Sequence, residues 1–303
     1  MSSGQKMIVT VGAFVITFIT ICMIFEDDIS FLLTSRSIER TYGQTGENSY
    51  FVEDYFDYVD NYEGAELHSK KEIVDSIYYL INSGITYSKR YCAKDYDTCY
   101  EDMEAISSDT NLLSLLNNYV HPFNSFGSII FNFDDNVIEI EIKHTYSDDA
   151  IKDINAILDD FVEKNINNSM STKDKIKIIH DYIINNTEYD KLKTENINDD
   201  TYQSNTAYGV LVEKYGICSG YSDTMKLFLD KLNIINYKIS NDQHIWNLIL
   251  LDEEWFHLDL TWDDPISDKN ITRDNYFLID NETLNKLDDD VHYFDKKIFT
   301  EAK

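Results

Sequence analysis

The chain has 303 residues, enough for one large domain or two modest ones, and its 43 % apolar and 14 % aromatic content supports a packed core and excludes global disorder. A formal charge of −29, from 55 acidic against 26 basic side chains, makes a surface that repels phosphate backbones and excludes nucleic acid as a partner. The acidic residues are spread along the chain without EF-hand spacing, so the charge describes a self-repelling surface and names no ligand.

Residues 7–25 form a run without charge, preceded by Lys6 and followed at once by Glu26, Asp27 and Asp28. A helix of that length covers roughly 30 Å, the thickness of a bilayer core. The run ends Cys22-Met23-Ile24-Phe25, with no small-residue cleavage site. Residues 1–28 are therefore expected to be an uncleaved signal anchor, with Lys6 inside and the rest of the chain outside a cell membrane. Cleavage would instead give a secreted protein.

Residues 29–147 read as a region of helices plus a β-hairpin whose role the sequence does not disclose. Up to about residue 67 the chain is rich in Tyr, Asp and Glu with little periodicity, which reads as a stalk. After Ser69, one helical face carries Ile73, Ile77, Leu80 and Ile81, and Gly84 stands past its end. A short helix is expected around Leu112–Val120, stopping before Pro122. Ser128 to Phe133, then Asp134-Asp135, then Ile138, Ile140 and Ile142 alternating with Glu139, Glu141 and Lys143 predict a hairpin with one buried face. Cys92 and Cys99 are either a local disulfide in an oxidising compartment or two free thiols; they make no CxxC pair and no zinc site.

From 148 to 303 a second domain is expected. Ile154, Ile157, Leu158 and Phe161 stripe one helix, and Ile176, Ile179 and Ile183 stripe another behind Ser171 as N-cap. The chemistry is concentrated between Tyr208 and Pro265. Gly216 and Gly220 flank Cys218 where a helix with Met225, Phe228, Leu229 and Leu232 on one face begins. Glycines allow a tight turn and close approach of a substrate. A helix N-terminus favours a thiolate and offers free N–H groups to an oxyanion. A cysteine taken alone is more often a small buried hydrophobe.

The downstream hairpin changes that balance. Asp252-Glu253 joins 244–251 to 254–261, and counting outward from a two-residue turn sets His244 and Asp259 diagonally on one sheet face, within hydrogen-bond reach. Ile245, Ile249, Leu251, Phe256, Leu258 and Leu260 then make the apolar face, with Asn247 as the exception. The roles follow: Cys218 as nucleophile, His244 as general base and acid, Asp259 as the group that orients the imidazole. His257 competes as base but lies two residues from Asp259 on the same strand, which suits a structural role. Trp246, Trp255 and Trp262 read as core or cleft walls, Asp263 and Asp264 as turn caps, and Tyr208 as a candidate oxyanion donor.

Gly-x-Cys-x-Gly-Tyr at 216–221, His244-Ile245-Trp246-Asn247, and Trp255 through Pro265 resemble the core of bacterial transglutaminase-like proteins. The resemblance runs from about Lys173 to Leu278. It implies an α+β fold with a papain-like core, a cysteine-bearing helix on an antiparallel sheet, to which this chain adds an N-terminal α/β extension and a transmembrane helix. It implies a catalytic triad of Cys218, His244 and Asp259, with no cofactor and no metal. The expected function is acyl transfer from protein or peptide amides through a cysteine thioester, the substrate being a cell-surface or cell-wall peptide. Water as acceptor (a peptidase or amidase) is favoured over an amine (a cross-linking enzyme). The alternative is a non-catalytic protein-binding module on the same fold.

Overall fold

The computed structural model describes residues 47–54, 56–134, 136–264, 274–287 and 290–302. The expected fold class needs correction: no helix among the described residues is long and apolar enough to cross a membrane. Residues 7–25, where the membrane helix was expected, lie outside the described residues. The fold is a mixed α/β arrangement whose described part contains no spanning helix.

Strand β1 (Glu66–Leu67) leads into helix α1 (Lys70–Asn82), and local chemistry fixes both ends of that helix. Ser69 Oγ accepts from the Glu72 amide while the Glu72 carboxylate accepts from the His68 amide. At the far end Gly84 takes a left-handed φ of 72°, letting its own N–H reach Ile81 O and the Ile85 N–H reach Leu80 O. Strand β2 (Tyr87–Cys92) and helices α2 (Cys99–Ser108) and α3 (Thr110–Leu116) follow, and a Cys92–Cys99 disulfide closes the loop between β2 and α2. Strands β3 (Phe126–Asp134) and β4 (Val137–His144) form the expected hairpin, with Ile138, Ile140 and Ile142 buried. The sheet runs β1-β2-β4-β3.

The lead-in from residue 47 is laid across this core, not extended as a stalk. Fully buried Asn82 accepts from the Val52 N–H and donates to Val52 O, both at 3.0 Å. Phe56 then packs against Tyr119 and Tyr237. Side-chain hydrogen bonds hold the segment in place of a repeating apolar face, so it lacks periodicity.

Helices α4 (Asp148–Asn165) and α5 (Thr172–Asn185) bury the expected stripes, Ile157 only in part, behind Ser147 and Ser171 as caps. Strand β5 (Glu188–Tyr189), helix α6 (Lys191–Glu195), a π-helical turn (Gly209–Glu213) and strand β6 (Tyr215–Gly216) lead to helix α7 (Cys218–Lys231). An antiparallel sheet follows from β7 (Asn236–Ser240), β8 (Ile245–Leu251) and β9 (Glu254–Leu258), then short helices α8 (Leu260–Asp263) and α9 (Asn281–Leu287). The sequence assigns this sheet one core face; the structure buries both. Ile249, Leu258 and Leu260 pack with α4, α5 and α7, whereas Tyr237, Ile239, Trp246 and Leu248 share a second core with α1 and β4. The described residues before α4 thus form the outer layer over the β7–β9 sheet, in one compact unit with the rest of the described chain.

Candidate active site

Cys218 is the first residue of α7 and carries a free, half-exposed thiol. Ile217 before it is extended and supplies no side-chain cap to the opening amides of the helix. The flanking glycines serve close approach, not a turn. A Cβ on Gly220 would stand 2.3 Å from Ser204 O, and one on Gly216 would stand 2.8 Å from both the Tyr221 ring and Val210. Their absence lets the 204–210 segment lie against the helix start, where the Ile217 N–H donates to Ser204 O at 2.9 Å.

The hairpin forms in the expected register. Asp252 and Glu253 turn with φ of 52° and 69°, pairing Leu251 with Glu254 and Asn247 with Leu258. His244 immediately precedes β8 and Asp259 immediately follows β9, so the end of the hairpin holds both. Between His244 Nε2 and Asp259 Oδ2 there are 2.5 Å. Asp259 Oδ1 accepts from the amides of Thr261 (2.8 Å) and Trp262 (3.2 Å), so the carboxylate caps α8 with one oxygen and holds the imidazole with the other. Cys218 lies close enough to the same imidazole to help raise its pKa. With Nε2 engaged by Asp259, Nδ1 is the ring nitrogen left to take a proton from the thiol.

Burial alone would lower the pKa of His244, but the charge and hydrogen bond of Asp259, then Cys218, outweigh it and push the imidazole up to about 10. Burial would raise Asp259; His244, and after it His292, hold the carboxyl well below the usual carboxylate range. A raised His244 stabilises the fold fully below its ordinary value of about 6.5 and loses that contribution as pH climbs. A lowered Asp259 stabilises fully above about 3.9 and loses it on acidification. The pair therefore contributes most between about pH 4 and pH 6.5. The melting-temperature gap between wild type and His244→Ala is expected to be widest there and to narrow toward pH 10; a gap that widens with alkali would contradict the assignment.

No family model matches the chain, and no curated protein matches it. Part of it is similar to a TGase. A solved structure described as "Crystal structure of a TGase" has 16 % sequence identity and a TM-score of 0.35, covering 50 % of this chain and 48 % of that one. The chain thus spans about half the length of that protein. Similarity of this size carries no functional argument, and the chemistry rests on the geometry.

His257 is held away from the sulfur's partner. Its Nδ1 accepts from Trp246 Nε1 and its Nε2 donates to Asn281 Oδ1, both at 3.0 Å, and burial lowers its pKa to about 4. Trp246 stacks on the His244 ring at 5.7 Å, and Trp262 is partly exposed. Asp263 and Asp264 bind side chains of other elements: Asp263 pairs with buried His180 (3.2 Å) and accepts from the Tyr276 amide, and Asp264 accepts from the Tyr221 hydroxyl. Tyr208 precedes the π-helical turn and packs on the core that α4, α5 and α7 share with Ile249 and Leu258. Tyr189 lies near the site: burial, then the charges of Cys218 and Asp259, raise its hydroxyl pKa.

Sequence reasoning missed His292. It is buried, and its Nε2 lies 2.8 Å from Asp259 Oδ2, the oxygen that also binds His244. No local motif marks it; Asp290-Val291-His292-Tyr293 carries no periodic or spacing signal. His244, Asp259 and His292 each bring one ligand atom within 4.8 Å of the others, a set able to hold a metal ion. In the structure both imidazole Nε2 atoms are instead engaged by Asp259 Oδ2. His180, Asp181 and Asp274 form another such set, but Lys177 bridges its two carboxylates at 2.5 and 2.9 Å.

Proposed function

We propose that the protein is a cysteine enzyme of transglutaminase-like type that takes acyl groups from protein or peptide amides through a thioester on Cys218. One observation supports the reading above all: a half-exposed cysteine at a helix start, within electrostatic reach of an imidazole that a buried carboxylate holds. His244 Nδ1 accepts the thiol proton, and the sulfur attacks the amide carbonyl carbon. The oxyanion that forms lies toward the amides opening α7. The imidazolium returns its proton to the leaving amine, the C–N bond breaks and the thioester remains. His244 then takes a proton from the acceptor as that acceptor attacks, and Cys218 is released. Such acid–base transfer contributes on the order of 10²- to 10⁴-fold. The acceptor we favour is water. The Cys92–Cys99 disulfide supports an oxidising, exocytoplasmic setting, where surface and cell-wall peptides are the available amides.

A labelled primary amine offered with a glutamine-containing protein separates the acceptors. Ammonia release without label incorporation, lost in Cys218→Ala, is the expected result. Incorporation lost in Cys218→Ala would make an amine the acceptor. Wild type giving neither product would favour the binding-module alternative.

A further inference from the structure

We propose that His292 is a positioning residue of this site, clamped by Asn241, so that the segment 291–293 completes the machinery around Asp259. The inference rests on the reading of Cys218, His244 and Asp259 given above. It starts from the carboxylate. Asp259 Oδ2 takes His244 at 2.5 Å and His292 at 2.8 Å, and Oδ1 takes two backbone amides. Those bonds fill the acceptor capacity of a carboxylate, which offers about four lone-pair sites. Rotation about its last bond would break several of them together. Without His292, the His244 imidazole would be the only side chain among the described residues holding Oδ2.

Asn241 connects the two histidines. Its Oδ1 accepts from the amides of Gln243 (2.8 Å) and His244 (2.9 Å), and its own N–H donates to His244 O at 3.0 Å. Its Nδ2 donates to Val291 O and Tyr293 O, both at 2.7 Å. One side chain thereby grips the His244 backbone and the carbonyls on either side of His292. Aromatic contacts set the plane of the His292 ring: it stacks on Tyr276 at 4.6 Å and meets Trp246 and Trp262 edge-on at 5.0 and 5.2 Å. The ionisable groups around it are Asp259, His244, His257 and Tyr276. Any flat ring would satisfy the packing. Only a donor at the Nε2 position would hold the carboxylate.

Two effects oppose each other when His292 is removed. A carboxylate with one donor fewer is a stronger partner for His244, which alone would favour the thiolate–imidazolium pair. A carboxylate no longer fixed in rotation aims less well at Nε2, which disfavours the pair. Positioning requires the second effect to dominate.

The test is the iodoacetamide reaction of Cys218, followed by mass spectrometry of its peptide from pH 5 to 9, with thermal melts in parallel. His292→Phe and Asn241→Ala are expected to react about tenfold more slowly than wild type at pH 6, the loss of one charge-assisted hydrogen bond. His292→Gln, whose amide nitrogen replaces Nε2, is expected to stay within about twofold. A His292→Phe rate equal to or above wild type would overturn the inference. Equal slowing in the Phe and Gln variants, with equally lowered melts, would overturn it too, because the ring's packing would then be its role. The His244→Ala control separates the two readings: if it leaves the wild-type profile unchanged, the thiol–imidazole reading itself has failed.

Discussion

Asparagine at position 259 is expected to lower turnover by on the order of 10³- to 10⁴-fold, because an amide cannot satisfy the contacts a carboxylate makes there. If the new NH₂ takes the place of Oδ2, it faces the Nε2 atoms of His244 and His292. His244 then has to accept at Nε2 and carry its proton on Nδ1, which can then no longer take the thiol proton. If the NH₂ takes the place of Oδ1, it faces the amide hydrogens of Thr261 and Trp262 and two donors collide. Either orientation spoils one side of the site. The check is turnover of the amide substrate together with the Cys218 alkylation rate at pH 6, both judged against a thermal melt. Turnover within tenfold of wild type would end the case for Asp259 as orienting group.

The parts of this site that depend on short stretches of chain were legible in the sequence. Asp252-Glu253 with alternating neighbours sets the hairpin register, and the register places His244 and Asp259 together. Ser69 and Gly84 likewise mark both ends of α1. Contacts brought by distant segments were not legible. His292 reaches Asp259 from the far end of the chain through carbonyls held by Asn241. Strand β2 was hidden because one of its buried positions is a charged residue: Arg90 is 6 % exposed, with Nε donating to Ser76 at 2.5 Å and Nη1 to Ser88 at 2.6 Å. An alternation search finds no apolar stripe in Tyr-Ser-Lys-Arg-Tyr-Cys. The glycines beside Cys218 were legible as important but not in their role, since the Ser204 carbonyl that Gly220 makes room for and the Val210 side chain that Gly216 makes room for come from outside the motif.

Asp223→Ala is expected to cost about 3–5 kcal/mol of stability, because it would leave a buried ammonium without its charge partner. Asp223 sits in the second turn of α7, and its Oδ1 lies 2.6 Å from Lys238 Nζ on β7, with both side chains nearly fully buried. Its Oδ2 accepts from the Tyr146 hydroxyl at 2.7 Å, and Tyr146 in turn accepts from the Ala207 amide at 2.8 Å. Burial keeps the Tyr146 phenol protonated and therefore a donor. One carboxylate thus ties the start of the cysteine helix to the sheet and to the segment that runs up to Cys218. Near the melting point the loss corresponds to roughly 10 °C for a chain of this size. The double variant Asp223→Ala, Lys238→Met is expected to regain most of it, since no uncompensated charge remains. A single variant within about 1 kcal/mol of wild type would mean that Lys238 finds water or another partner. The same tie bears on function: β7 pairs with β8, β8 begins beside His244, and Asn247 Nδ2 of β8 donates to Ser222 O of α7 at 3.0 Å. A buried ion pair and an amide bond between helix and sheet therefore fix the distance from thiol to imidazole, and a variant that melts early through Asp223 should also alkylate more slowly at Cys218.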